Sequence, residues 1–369
     1  MTVELPIGPA FGCVLSARAL IVVKTTICLC SLVSDNRRVS DTRKAPAMTA
    51  DLAPVASAAI TIRPELVEQV RGYATASTSE NTRRAYSRQW LAFVAWCEAR
   101  RFEALPASPA TVALYASDLA DQGKKVATIG QAMVAISSAH GAAGHPSPRA
   151  DANLRKVLRG IRRTLGVAQK EAAPALAEHL RRMVGALPTS IAGLRDRALL
   201  LVGFAGAFRR SELVGLELRD VRFSTEGLEV TLRRSKTDQE GRGRLVALPY
   251  SGTPEVCPVR ALRAWLEASA IDAGPVFREV TRHGKVGTKA LTGRSLSRLV
   301  KNAGVVAGLE GQNFSGHSLR AGFVTQAKIA RKDEASIMRQ TGHLSVAMVR
   351  KYDRRADLWR DNAAAGLLG

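Results

Sequence analysis

Apolar residues in the first half of the chain recur at intervals of three and four. In "SENTRRAYSRQWLAFVAWCEARR", Tyr86, Trp90, Phe93, Val94 and Cys97 share one helical face, and Ser79 stands where an N-cap is expected. "TVALYASDLADQG" predicts a second helix closed by Gly123. Ile129, Met133 and Ile136 line a third. A fourth carries Leu154, Leu158, Ile161 and Leu165 on one side and Arg155, Arg159 and Arg162 on the other. Residues 166–175, "GVAQKEAAPA", have no period and hold both Gly and Pro, so a linker is expected there.

Beyond residue 175 the period changes more than once. "LAEHLRRMVGAL" and "GLRDRALLLVGFAGAF" are helical. "GLEVTLRR" alternates Leu228, Val230 and Leu232, the mark of a half-buried strand, and "GRLVALPY" predicts a second short one. The nine residues "SKTDQEGRG" between them suit an extended hairpin loop. Helical patterns return in "PVRALRAWLEASA", "GRSLSRLVKNAGVVAGL", "SGHSLRAGFVTQAKIA", "KDEASIMRQ" and "SVAMVRKY". No internal repeat is evident. The expected fold is mainly α: a helical bundle over residues 59–165, a linker at 166–175, and a mixed helical domain with a small antiparallel sheet over 176–369.

The first 58 residues fit neither domain. "FGCVLSARALIVVKTTICLCSLV" is apolar but broken by Arg18 and Lys24. A membrane span needs about 20 apolar residues, and a signal peptide needs a clean apolar core. From Ser34 the chain turns polar and then Ala/Pro-rich, a composition that favours disorder. The expectation is that translation starts at Met48 and that residues 1–47 are not part of the natural protein.

Composition adds a partner. Lys and Arg number 54 against 32 Asp and Glu, a formal net charge of +22. Such an excess attracts polyanions, with nucleic acid first among them, and binding should weaken steeply with salt. No lysine block beside an apolar helix favours a membrane surface instead. Arg84 and Arg88, four apart on the first helix, join Arg155, Arg159 and Arg162 as the expected phosphate-tracking faces. The five cysteines are odd in number and form no paired Cys/His cluster, so no zinc site is expected and the chain reads as reduced and cytoplasmic.

Several chemistries find no support. The sequence has no GxxxxGK[ST] loop, no GxSxG elbow, no HExxH pair and no carboxylate cluster for a two-metal nuclease. What remains is a series of phosphate-type residues. "AFRRSELVGLELRDV" puts Arg209 at a helix–helix turn, with Glu212 three residues on. "RRSKTDQEG" puts Lys236 in the hairpin loop, and "SGHSLRAGF" sets His317 and Arg320 three apart. "TGHLSVAMVRKY" holds His343 and Tyr352 nine apart, too far round to face together on one straight helix. Gly342 and Ser345 suggest a break that could bring the two side chains together, with Ser345 capping a new helix.

Each of these residues taken alone has an ordinary structural reading. A hairpin lysine is usually solvated, an HxxR pair is usually a surface pair, and a tyrosine after Arg-Lys is usually a packing ring. Glu212 also suits the first turn of a helix through the dipole. Five elements in one order, on a basic chain with a helical domain before them, are another matter.

The series "FRRSEL … SKTDQEG … GHSLRAGF … GH…Y" resembles the tyrosine recombinase (phage integrase) family over residues 60–369. The resemblance implies a SAM-like helical core-binding domain followed by a catalytic domain. It places the family's two arginines on Arg209 and Arg320, its hairpin lysine on Lys236, its histidines on His317 and His343, and its nucleophile on Tyr352. Glu212 matches a supporting acidic position. The first 60 residues do not resemble an arm-site DNA-binding domain.

The chemistry implied is transesterification at phosphorus. Tyr352 would attack a phosphodiester, form a 3′-phosphotyrosine and free a 5′-hydroxyl, with neither ATP nor metal required. Two guanidiniums would clamp the non-bridging oxygens, a fork that lysine cannot copy. A phenol ionises near pH 10, so His317 is the implied base. Lys236 would protonate the leaving oxygen, and His343 would hydrogen-bond a non-bridging oxygen. The implied partners are double-stranded DNA target sites, a homotetramer on two duplexes and accessory DNA-bending proteins. In such an assembly the apolar tail around Leu358, Trp359, Leu367 and Leu368 either closes its own domain or docks on a neighbour. Two other readings stay open. One is a helix-turn-helix regulator built on "EASIMRQTGHLSVAMVRKY". The other is a type IB topoisomerase, which shares the chemistry without strand exchange.

Overall fold

A computed structural model describes residues 63–168, 172–233, 243–350 and 352. The expectations for residues 1–58, for Lys236 and for the tail from Leu358 lie outside the described residues. The chain divides into two compact units, Met1–Gln169 and Lys170–Gly369.

The first unit is helical: α1 (Pro64–Ala76), α2 (Glu80–Arg100), α3 (Pro109–Asp121), α4 (Val126–Ala142) and α5 (Ala152–Leu165). Ser79 accepts from the Thr82 N–H and starts α2, as its position implied. Asp151 caps α5 in the same way through the Leu154 N–H. Helix α2 packs on α4, and α3 packs on α5. Trp90, Phe93, Cys97, Ile129, Met133, Ile136 and Leu154 meet in one core. Leu165, expected on the buried side of α5, is instead exposed at its last turn. His140 is buried, with Nδ1 2.8 Å from the Ile136 carbonyl and Nε2 accepting from Ala107 N–H at 2.9 Å. Both ring nitrogens are thus used to hold a turn onto α4.

The second unit begins in the segment expected as linker. Ala173 and Ala175 are buried there, and their N–H groups donate to the carbonyls of Asn313 and Ser318. Composition marked this stretch as loose because alanines carry no period. Gly322 explains the contact, since a Cβ at that position would stand 2.0 Å from the Ala175 carbonyl oxygen.

Its elements run α6 (Ala177–Gly185), α7 (Ile191–Ala205), α8 (Arg210–Val214), β1 (Val221–Phe223), β2 (Gly227–Leu232), β3 (Arg244–Pro249) and α9 (Pro258–Ser269). They continue with β4 (Arg278–Val280), β5 (Val286–Ala290), α10 (Gly293–Val306), α11 (Ser318–Ile329), α12 (Glu334–Thr341) and α13 (Val346–Arg350). The three-stranded antiparallel sheet has the order β1-β2-β3, with Leu228 opposite Leu248 and Leu232 opposite Arg244. Strand β1 and the β4–β5 pair, of three to five residues each, were not separated from loops by alternation. Helix α7 contributes Leu199, Leu200 and Val202 to the core and packs on α9, whose Trp265 is fully buried. The molecule is mainly helical with a small antiparallel sheet.

A second, smaller core joins Val324 and Ala327 of α11, Ile337 of α12 and Val349 of α13, with Tyr352 packed against it. This cluster holds the last short helix against the rest of the unit and so sets where the phenol lies.

Candidate active site

The turn between α7 and α8 carries the first guanidinium. Arg209 has extended backbone just before α8, and Glu212 in its first turn reaches back. One Glu212 oxygen accepts from the Arg209 N–H at 2.8 Å, and the other pairs with its guanidinium at 2.7 Å. The Glu212 side chain is 2% exposed, so this is a desolvated ion pair. Glu212 thereby fixes both the backbone and the head group of Arg209.

Arg320, on α11, is 2% exposed. Its Nη1 donates to the Ala207 carbonyl at 2.6 Å, and its Nη2 is buried without a hydrogen-bond partner. Ala207 has φ +48, a left-handed conformation that is rare for alanine. That twist turns its carbonyl onto Arg320. Burial, then the neighbouring Arg209, push the Arg320 guanidinium down to about 10, against the opposing pull of Glu212 and Tyr352. A buried cation beside another cation, with a donor to spare, is suited to an anion such as phosphate.

His317 stands at the N-terminus of α11 and is exposed, and its Nε2 lies 3.1 Å from the Tyr352 hydroxyl. Gly342, with φ +66, ends α12, and α13 starts just after Ser345. The break sets the His343 and Tyr352 ring centres 6.1 Å apart. His343 is 8% exposed, and its Nδ1 lies 2.8 Å from the Thr341 hydroxyl. Burial first, then Arg320, Arg209 and Arg244, bring the His343 imidazole down to about 4. It is neutral at neutral pH.

Of the residues singled out in the sequence, the structure brings Arg209, Glu212, Arg320, His317, His343 and Tyr352 into one cluster. Lys236 lies outside the described residues. Arg84, Arg88, Arg155, Arg159 and Arg162 belong to the first unit and are exposed, with Arg84 paired to Glu80. Thr341 and Arg244 also belong to the cluster and were missed. Nothing marks Thr341 in the sequence, but Arg244 shares a strand face with Val246 and Leu248, so alternation puts a charge on the buried side. Among the described residues, no group of three or more His, Cys, Asp or Glu is placed to hold a metal ion, and no helix is long and apolar enough to cross a membrane.

A helical unit with exposed arginines, followed by a unit that gathers guanidiniums, imidazoles and a phenol, has the features of a phosphodiester-handling enzyme. Comparison with known proteins names the class. The phage integrase family matches residues 176–358. An integrase/recombinase XerD homologue of Selenomonas ruminantium is 40% identical over 291 residues, covering 78% of this chain and 85% of that protein. Crystal structures share the fold. XerH site-specific recombinase bound to palindromic difH substrate aligns with a TM-score of 0.52 at 17% identity, over 79% of this chain and 81% of that one. A lambda integrase dimer bound to a COC′ core site aligns with a TM-score of 0.52 at 16% identity, over 80% of this chain and 77% of that one. The chain belongs to the phage integrase family, the tyrosine recombinases, and its chemistry is DNA cleavage and rejoining of that type.

Proposed function

We propose that the protein is a site-specific DNA recombinase of a mobile element, acting through a 3′-phosphotyrosine intermediate without ATP or metal. The single observation that carries this reading is the 3.1 Å contact between His317 Nε2 and the Tyr352 hydroxyl, beside the buried donor of Arg320. A base on the phenol and a fork for phosphate oxygens are the two things in-line attack requires.

In the first step the Tyr352 oxygen bonds to phosphorus as its proton passes to His317. The bond from phosphorus to the 5′-oxygen breaks, and Lys236 protonates that oxygen. Arg209 and Arg320 hold the non-bridging oxygens as charge builds on them. A 5′-hydroxyl from another duplex then reverses the step, so the ester energy is conserved.

The first unit is read as the SAM-like core-binding domain, with Arg84, Arg88, Arg155, Arg159 and Arg162 on phosphates. The working assembly is a homotetramer on two duplexes in the cytoplasm, with accessory DNA-bending proteins as further partners. An apolar groove of about 550 Å³ supports the tetramer. Leu180, Phe204, Phe323 and Ile337 line it, and it offers a place for a neighbouring subunit's apolar segment. The regulator alternative would need a recognition helix after Gly342, and among the described residues α13 spans only the five of Val346–Arg350.

The test is a nicked suicide duplex carrying the ends of the element on which the gene lies. A covalent protein–DNA adduct that survives denaturant is expected, and Tyr352→Phe should abolish it while leaving DNA binding intact. Relaxation of supercoiled plasmid by the monomer, without a specific site, would favour a topoisomerase instead.

A further inference from the structure

Arg244 opens β3 on the face that Val246 and Leu248 bury, and its side chain is 19% exposed. Its Nη1 donates to the Gln340 carbonyl at 2.6 Å and to the Arg339 carbonyl at 3.4 Å. These are C-terminal carbonyls of α12, which have no partner within the helix. A cation is favoured at that end of a helix. Arg244 Nη2 lies 3.7 Å from the Glu212 carboxylate, the group that holds Arg209. Its Nε and Nη2 are otherwise buried without hydrogen-bond partners. Gly342 leaves room for this, since a Cβ there would come within 3.0 Å of the Arg244 Nε.

One guanidinium, carried on β3, therefore joins two pieces of the cluster: the end of α12 that leads to His343 and the carboxylate that fixes Arg209. We propose that Arg244 is a positioning residue for strand cleavage, tying the His343 turn to the Glu212–Arg209 pair. The proposal rests on the recombinase reading above. A surface lysine at this position would be a point donor on a loose stem, whereas the fork of Arg244 addresses carbonyls on one side and a carboxylate on the other. A buried charge with unsatisfied donors is costly to the fold, so its presence suggests a role beyond packing.

The test compares wild type with Arg244→Met and Arg244→Lys in the full-length protein. Three quantities are read: single-turnover adduct formation on the nicked duplex, affinity for the same duplex, and the imidazole titration of His343 followed by NMR of histidine-labelled protein. His343→Gln identifies the signal. The charged and titratable groups facing that imidazole are Arg320 and His317 from α11, Arg209 from the turn before α8, and Arg244 from β3. Tyr352 faces it from just beyond α13.

Arg244→Met is expected to slow adduct formation by about 10²-fold, the usual cost of a misplaced reacting group. DNA affinity should be unchanged, and the His343 titration should move up because one neighbouring cation is gone. Arg244→Lys keeps the charge and loses the fork, so it should slow adduct formation while leaving the titration near that of wild type. Unchanged adduct formation in either folded variant would overturn the proposal. So would a parallel loss of DNA affinity, which would make Arg244 a DNA contact. If the methionine variant does not fold, the lysine variant decides between the same outcomes. Failure of the wild type to form any adduct would count against the recombinase reading. The His343 titration still judges Arg244 in that case: no movement in Arg244→Met would overturn the link to the His343 turn, and an upward shift would support it.

Discussion

The hydroxyl of Thr341 links to His343 in a way that fixes which ring nitrogen carries the proton. Thr341 is fully buried, and its one proton goes to the Ile337 carbonyl at 2.7 Å, because a carbonyl can only accept. Its oxygen is then an acceptor for His343 Nδ1–H at 2.8 Å. The neutral imidazole accordingly has a bare Nε2. A bare nitrogen cannot donate to a phosphate oxygen, so the donor role proposed for His343 requires it to take up a proton first. An anion among three guanidiniums favours that uptake.

The first expectation follows from this pair. In the free protein, nitrogen NMR should report His343 with the proton on Nδ1. A tetrahedral oxyanion such as vanadate should convert it to the doubly protonated form. Thr341→Val should release the tautomer and weaken the effect. Detection of Nε2–H in the free wild type would refute the assignment.

His343 also makes stability depend on pH in a defined direction. Between its ordinary value of 6.5 and about 4, the unfolded chain binds a proton there that the folded chain does not. Stability from this group is therefore full above pH 6.5 and lost as pH falls toward 4. His343→Gln should flatten that acid limb in thermal melts taken across the window. Buried His140 is pushed the same way by desolvation and remains in both proteins, so the difference isolates His343. An acid limb identical in the two proteins would contradict the burial argument.

Among the described residues, Glu212 is the carboxylate that pairs with both Arg209 and Arg244, and it offsets the charge of Arg320 as well. Removing one partner of a buried pair leaves uncompensated charge and costs about 3–5 kcal/mol. Glu212→Ala should lose stability of that order in denaturant titration, with adduct formation lost as well. A loss below about 1 kcal/mol would mean that solvent reaches the pair as it does at an open surface.

The exposed arginines of α5 invite a salt test. If Arg155, Arg159 and Arg162 track phosphates, each replacement by Ala should flatten the plot of log affinity against log salt by about 0.9. Cleavage of DNA already bound should be unaffected. A slope equal to that of wild type would remove these residues from the interface.

The sequence made the helices legible because buried Trp90, Phe93, Ile129 and Met133 recur at helical spacing. It also made Arg209, Glu212, Arg320, His343 and Tyr352 stand out, since their residue types and order are chemical. What it did not expose depended on distant packing. Ala173 and Ala175 look like linker because their partners lie far along the chain: Ala173 pairs with Asn313, and Ala175 packs against Gly322. Ala207 gives no hint of its left-handed backbone, since alanine seldom adopts one. Thr341 sits in the last turn of a helix, where a threonine reads as ordinary surface. Arg244 was legible in principle through strand alternation, but it is one of 54 basic residues and was lost among them.

The most direct measurement is to digest the trapped protein–DNA adduct and identify the linked peptide by mass spectrometry. A single nucleotide-bearing peptide is expected, joined through the Tyr352 oxygen to a 3′-phosphate. A linkage at any other side chain, or an adduct that persists in Tyr352→Phe, would contradict the assignment.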